Sequence, residues 1–231
     1  MKKHITLSPK RMARASALLM MAWLMLSCSV TTTTRRTAYP KMYEERPASI
    51  LIMPPINETN HVEAKEFFFT SLAQPLAERG YYVFSPFLSM ELLQQESAND
   101  AEVFVEGSMK PFLDFFGTDA VLFTRIKKWE KASLLSQMYV EVEYILKSAK
   151  TDEIIFQKSA NVTVDLSVNS GNGLVDLLAG AISTAVTDKI VAARKANRFI
   201  LADMPFGRYS PEYGKDGDIP AREKHITAVV R

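Results

Sequence analysis

Between Met138 and Val164 apolar and polar side chains alternate residue by residue, and a period of two belongs to extended chain. Met138, Val140, Val142, Tyr144 and Leu146 share one face, and Tyr139, Glu141, Glu143, Ile145 and Lys147 the other. Lys150-Thr-Asp-Glu153 turns the chain. Ile154, Phe156, Ala160, Val162 and Val164 then continue on a return strand, with Gln157, Ser159, Asn161 and Thr163 opposite. The pattern predicts a long antiparallel hairpin, one face against a core and the other half solvated.

Upstream the period changes. Ala48-Ser-Ile-Leu-Ile-Met53 is a continuous apolar run closed by Pro54-Pro55, which suits a strand buried on both faces. Neither proline can donate to a ladder, so the strand ends there. Asn57-Glu-Thr-Asn60 is a polar loop able to supply a helix cap. Val62, Phe69, Leu72, Ala73 and Leu76 then return at helical spacing, predicting a helix over Val62–Arg79 with a kink or break at Pro75 and Gly80 at its end. Tyr81 to Phe84 reads as a second strand stopped by Pro86. Leu88 to Glu96 reads as a second helix, with Met90, Leu92 and Leu93 apolar. Within Ala98–Gly117, Val103 to Val105 extends a helix, and Phe112, Leu113, Phe115 and Phe116 form a short apolar turn. Ala120 to Ile126 is a third strand, so the order strand, helix, strand, helix, strand implies right-handed parallel crossovers. The expected fold class is α/β: a single three-layer-like domain, a βαβαβ core with an appended antiparallel hairpin and a long C-terminal helix.

That helix follows a loop, Asp165–Gly173, and carries Leu174, Leu177, Leu178, Ala181, Ile182, Ala185, Val186 and Ile190 as a broad apolar stripe. Helix-on-sheet packing accounts for much of it. Val175 and Ala179 fall away from Leu178 and Ile182, however, which makes Val175, Ala179, Ile182 and Val186 the candidate interface of a homodimer. Residues 47–204 are expected to form the folded domain. Residues 205–231, with Pro205, Gly207, Pro211, Gly214, Gly217 and Pro220, are expected to be an irregular tail with its last stretch mobile.

The N-terminus is of another kind. Lys2, Lys3, Lys10, Arg11 and Arg14 precede an uncharged run, Ala15 to Ser27, and the chain's only cysteine, Cys28, follows. A basic segment, a short apolar segment and a small residue at the end describe an export signal. The run falls short of the roughly 20 apolar residues of a comfortable membrane span. Met25-Leu26-Ser27-Cys28 resembles the lipobox of bacterial lipoproteins, in which the thiol is acylated and becomes the first mature residue. The alternatives are an ordinary signal peptide with a leftover cysteine, or an N-terminal anchor helix. Ser29, rather than Asp, follows the cysteine, and by resemblance to the lipoprotein sorting rule this implies the outer membrane. Residues 1–27 are thus expected to be the signal peptide. Residues 28–46, with their threonine tract, are expected to be an acylated cysteine and a flexible tether.

The formal charge of the whole chain, +2, misleads, because the leader holds five basic and no acidic residues; the remainder carries 23 basic against 26 acidic, a net of −3. A weakly acidic domain has no electrostatic footprint for nucleic acid. After Cys28 the chain has no cysteine, so neither a disulfide framework nor a thiolate metal site is available. Of the histidines, His4 lies in the leader, and His61 and His225 are far apart in sequence without a partner at helical spacing. No nucleophile elbow or phosphate-binding loop motif occurs, and Gly171-Asn-Gly173 alone reads as a helix entry turn. Glu141 and Glu143 share a strand face with Lys147, an arrangement more often solvated than catalytic. Phe67-Phe68-Phe69 either spans a wide buried helix face or leaves one ring for a second interface. The reading is non-enzymatic, with no metal and no cofactor beyond a covalent lipid at Cys28.

Pro54-Pro-Ile-Asn-Glu-Thr59, Pro75-Leu-Ala-Glu-Arg-Gly-Tyr-Tyr-Val83 and Tyr209-Ser-Pro-Glu-Tyr-Gly-Lys-Asp216 resemble a family of bacterial outer-membrane lipoproteins of unknown function. The resemblance implies a fold related to the amino-terminal domain of TolB and to the periplasmic part of the curli secretion pore protein. It also implies a lipid-anchored, dimeric member of a transport or envelope-assembly apparatus, and it carries over no catalytic residue. With a single hairpin, this chain is not expected to form a pore alone. In α/β sheets ligands sit beyond the carboxyl ends of the strands, so Pro54, Pro55, Asn57, Glu58 and Thr59 are the candidate binding residues. The expected function is that of a periplasm-facing accessory subunit of an envelope transport or secretion assembly, its partners being membrane lipid, envelope proteins and a second copy. A stand-alone module binding a small ligand or peptidoglycan is the alternative.

Overall fold

The computed structural model describes residues 33–132, 136–167 and 185–231. Two short helices come first, α1 (Arg35–Ala38) and α2 (Pro40–Glu45), then β1 (Ser49–Ile52), β2 (Ile56–Asn57) and α3 (Glu63–Glu78). They are followed by β3 (Tyr82–Val83), α4 (Pro86–Gln95), α5 (Ala101–Phe104), α6 (Lys110–Phe116) and β4 (Ala120–Lys131). The hairpin β5 (Gln137–Ser148) and β6 (Ile154–Asp165) precedes α7 (Ala185–Leu201) and a final strand, β7 (His225–Val230).

The strands form one mixed sheet in the order β3-β1-β4-β5-β6-β7, with β2 beside β4. β1 pairs in parallel with β3 and β4, as the alternating order of elements requires. β4, β5 and β6 are antiparallel, and the predicted hairpin faces are kept where Val142 opposes Ala160 and Glu143 opposes Ser159; beside the turn a register shift at Lys147 moves Ile154 off the core face, where it is half exposed, and buries Ile155. A register shift between Ile126 and Lys128 places one extra residue, Lys127, in β4.

Three layers result. Ile50 and Ile52 of β1 point to one face of the sheet, where α3 and α7 pack, while Leu51 and Met53 point to the other, beneath α4, α5 and α6. Phe68, Leu72 and Leu76 of α3 are fully buried, each contributing about 1.5–3 kcal/mol of apolar burial. The Phe67–Phe69 triplet resolves as a wide buried face: Phe68 and Phe69 are in the core, and half-buried Phe67 stacks on Trp129 at 6.4 Å. Small residues of α7, Ala192, Ala193 and Ala196, let it lie close to the sheet and to α3. Asn197 donates to Ser71 Oγ at 2.9 Å and accepts from the Tyr144 hydroxyl, which pins the two helices to β5.

Several expectations are corrected. From Thr33 onward the segment to Arg46 is no tether, because it forms α1 and α2 and buries Arg35, Tyr39 and Met42. The C-terminal segment is not a loose end either, since β7 pairs with β6 from Ser159↔His225 to Val164↔Val230. No break occurs at Pro75: α3 runs on to Glu78, and the proline costs the helix only the one bond that its missing N–H would have made to the Ser71 carbonyl. The second hairpin face is half solvated only near its open end, and Ile145 and Lys147 are buried beneath the α5–α6 layer.

Candidate functional site

The densest polar cluster joins segments that are far apart in sequence. Arg35 of α1 reaches Asp216 at 3.1 Å and the Ala202 carbonyl at 3.0 Å, with Asp203 3.9 Å away. Lys158 of β6 lies 2.6 Å from Asp203, which also accepts from Tyr39 at 2.5 Å and from the Arg222 amide at 3.1 Å. Asp216 accepts from Tyr43 at 3.0 Å and from the Phe206 amide at 2.9 Å, and Arg79 stands 4.0 Å away over the Phe206 ring. Burial pushes the Asp203 carboxyl up, but the hydrogen bonds from Lys158 and Tyr39 outweigh it and hold the group ionised below its ordinary range. Burial pushes the Tyr39 and Tyr43 hydroxyls above theirs and lowers Arg79 to about 10. Every acid here already has a structural partner, so the cluster is a clasp between the N-terminal helices and the C-terminal segment, without a free acid–base pair.

Backbone bonds extend the clasp. Arg35 and Arg36 donate to the Ile219 and Gly217 carbonyls at 2.9 and 3.0 Å, and Ala221 donates to the Thr33 carbonyl at 2.8 Å. Beside it opens a cavity of about 240 Å³ walled by Arg36, Arg46, Lys215, Tyr43, Tyr81 and Tyr213.

A second concavity, about 250 Å³, is apolar and lies between α4 and α6, lined by Leu92, Leu93, Phe104, Phe112, Phe115 and Phe116. Its wall is open to solvent: Phe115 is 54% exposed and Leu92 38%, and Leu88, further back on α4, is 59% exposed. Leu88 stands one turn before Leu92 on the same helix face. A file of edge-on rings, Tyr82–Phe84–Phe116–Phe115, runs from β3 into this groove at centroid spacings of 5.2, 5.9 and 4.9 Å.

The residues singled out from sequence are brought together only in part. Pro54 and Pro55 are buried between β1 and β2. Asn57 is spent on its own turn, accepting from Thr59 N and Oγ1 and donating to the His61 carbonyl at 2.9 Å. Glu58 faces solvent and pairs with Arg125 at 3.4 Å. Of the homodimer candidates, Val175, Ala179 and Ile182 lie outside the described residues, and Val186 is in α7 with its side chain outside them. Cys28 also lies outside. Glu143 bonds Lys127 at 2.9 Å and Gln157 at 2.8 Å, while Lys147 turns inward to the Val105 and Gly107 carbonyls. His225 Nδ1 is 2.9 Å from Ser159 Oγ and His61 is 3.7 Å from Glu63; no group of three metal-binding side chains exists among the described residues. No helix among them is long and apolar enough to cross a membrane.

Four likenesses to known proteins accompany this geometry. A family model described as "Putative lipoprotein GNA1162-like" matches residues 37–203. "Putative lipoprotein NMB1124/NMB1162" of Neisseria meningitidis serogroup B is 28% identical over 154 residues, 66% of this chain and 71% of that protein. Among solved structures, lipoprotein GNA1162 from Neisseria meningitidis aligns with TM-score 0.47 and 28% identity over 59% of this chain and 95% of its own. The PelC dodecamer from Paraburkholderia phytofirmans aligns with TM-score 0.43 and 11% identity over 68% and 88%.

Proposed function

From its place in the GNA1162-like lipoprotein family, to which the chain belongs, we propose that it is a non-enzymatic, lipid-anchored interaction subunit of an envelope transport or secretion assembly. It is held by acylated Cys28 at the outer membrane and faces the periplasm. The kinship in fold with TolB and the curli secretion pore protein, and a homodimer through Val175, Ala179, Ile182 and Val186, belong to the same proposal.

The observation that carries the reading is the open aromatic groove between α4 and α6. Phe115 and Leu92 in its wall, and Leu88 one turn before Leu92, are left exposed, although isolated domains seldom leave contiguous apolar surface uncovered. At about 250 Å³ the groove is smaller than the roughly 300–1,000 Å³ of small-molecule pockets, and suits an aromatic or aliphatic anchor from another protein. The carboxylates Asp203, Asp216 and Glu143, by contrast, are consumed in the clasp and in a strand-to-strand pair.

Mild detergent extraction followed by purification tests the proposal. A stable protein partner, lost on Leu88→Glu with Phe115→Glu, is expected. A monodisperse lone species retaining a small molecule would contradict it and favour the ligand-binding module.

A further inference from the structure

We infer that the cavity beside the clasp, walled by Arg36, Arg46 and Lys215, is a phosphate-ester site that receives the anionic headgroup of a bilayer lipid. The inference rests on the reading of Cys28 as the lipid anchor. Thr33 is already fixed to the body through Ala221, and it lies five residue steps after Cys28. Covalent geometry therefore limits the Cys28–Thr33 distance to about 18 Å at full extension. Arg36 lies just beyond Thr33 in the same ordered segment, so this wall of the cavity is within chain reach of an anchor at Cys28.

The chemistry of the wall fits that neighbour. Arg36, Arg46 and Lys215 form no ion pair among the described residues, unlike Arg35, Arg79 and Lys158 behind them. Arg36 is held in place rather than loose: its guanidinium lies 4.7 Å over the Tyr43 ring and so close to Gly217 that a Cβ there would meet Arg36 Nη2 at 2.5 Å. Arg46 donates from Nε to the Tyr43 carbonyl at 3.1 Å, which leaves its terminal nitrogens for an outside acceptor. Lys215 is tied at 2.6 Å to the Pro211 carbonyl, a neutral partner that leaves its charge uncompensated. No carboxylate among the described residues lines the cavity, and Asp216, bonded to the lining Tyr43, is already matched by Arg35 and Arg79. A planar guanidinium pair with an ammonium beside it is the donor set that phosphate oxygens prefer. The excess is local, since the mature chain is acidic overall.

The test uses the full mature chain with Cys28→Ser, so that no acyl chain contributes, floated with vesicles of phosphatidylcholine alone or with added phosphatidylglycerol. Flotation is expected only with the anionic vesicles. It should weaken with salt and fall about fivefold for each of Arg36→Gln, Arg46→Gln and Lys215→Gln. Arg36→Lys with Arg46→Lys keeps the charge and should keep most of the binding, and unchanged melting temperatures verify the fold of every variant. No flotation, equal flotation on both vesicles, or flotation indifferent to the three neutral substitutions would overturn the inference. Displacement by inorganic phosphate where chloride of equal ionic strength has no effect would also overturn it, by assigning the site to soluble phosphate. Because these readouts need no acylation, they stand apart from the question of whether Cys28 is modified.

Discussion

Lys158 and Asp203 meet at 2.6 Å with their side chains 0% and 2% exposed, joining the centre of β6 to the turn after α7. The pair is where the N-terminal helices, the hairpin and the C-terminal segment converge. Removing only one partner leaves a buried charge without compensation, which costs about 3–5 kcal/mol. Asp203→Ala should therefore lower stability by that order in urea unfolding. Lys158→Met with Asp203→Leu should recover only part of the loss, because it removes the unpaired charge but leaves the Tyr39 hydroxyl and the Arg222 amide without their acceptor.

The pH dependence follows from the same groups. Burial raises Asp203, yet its hydrogen bonds leave it depressed overall, and Asp119 and Glu143 are depressed in the same way by their donors. Carboxyls lowered in the folded state contribute stability that is present above the unfolded value, about 4, and is lost as pH falls through the folded value. Tyr39, Tyr43 and Tyr81 are raised, chiefly by burial, so their contribution is present below about pH 10 and declines as pH rises beyond it. Through these groups the unfolding free energy should fall below about pH 4 and above about pH 10, with Arg79 and Lys158, both lowered by burial, opposing the alkaline decline.

Gly80 and Gly207 interlock at the end of α3. Gly80 has φ +85°, and a Cβ on it would come 2.6 Å from Ser210 Cβ; a Cβ on Gly207 would meet the Gly80 carbonyl at 2.5 Å. The Gly207 and Tyr209 amides donate to the Arg79 and Gly80 carbonyls at 2.8 and 2.9 Å. Gly80→Ala and Gly207→Ala should each cost at least about 1–3 kcal/mol in thermal or urea unfolding. Gly214→Ala, with φ +73° but nothing within 4 Å, should cost less than either.

Leu88→Glu and Phe115→Glu change exposed side chains and should leave folding stability within about 0.5 kcal/mol of the wild type. A groove that serves a partner should nevertheless lose most of its binding with them, read as loss of co-purification at an unchanged melting temperature.

The α/β order and the hairpin were legible because both rest on local periodicity: the core face of β5 and β6 follows the alternation from Met138 to Leu146 and from Phe156 to Val164, and it fails only beside the turn, where a register shift at Lys147 leaves Ile154 exposed and buries Ile155 instead. The clasp left no such signal. Arg35 and Asp216 are 181 residues apart, and Lys158 finds its acid 45 positions on, so nothing in either neighbourhood marks them as partners. For the same reason the polar Thr33–Arg46 stretch read as a tether, although Tyr39 and Met42, buried at its centre, were the available hint. Pro54 and Pro55 drew attention as punctuation, and their burial is that of a strand end. The aromatic groove was half visible: Phe112, Phe115 and Phe116 stood out as apolar, but the exposure of Phe115 beside α4 depends on tertiary packing.

The most direct measurement is the intact mass, with sequencing of the N-terminal peptide, of the protein isolated from its native membrane. A chain beginning at residue 28 whose cysteine carries diacylglyceryl and acyl groups is the predicted result. An uncleaved leader, or a mature chain with an unmodified Cys28, would contradict the anchored subunit.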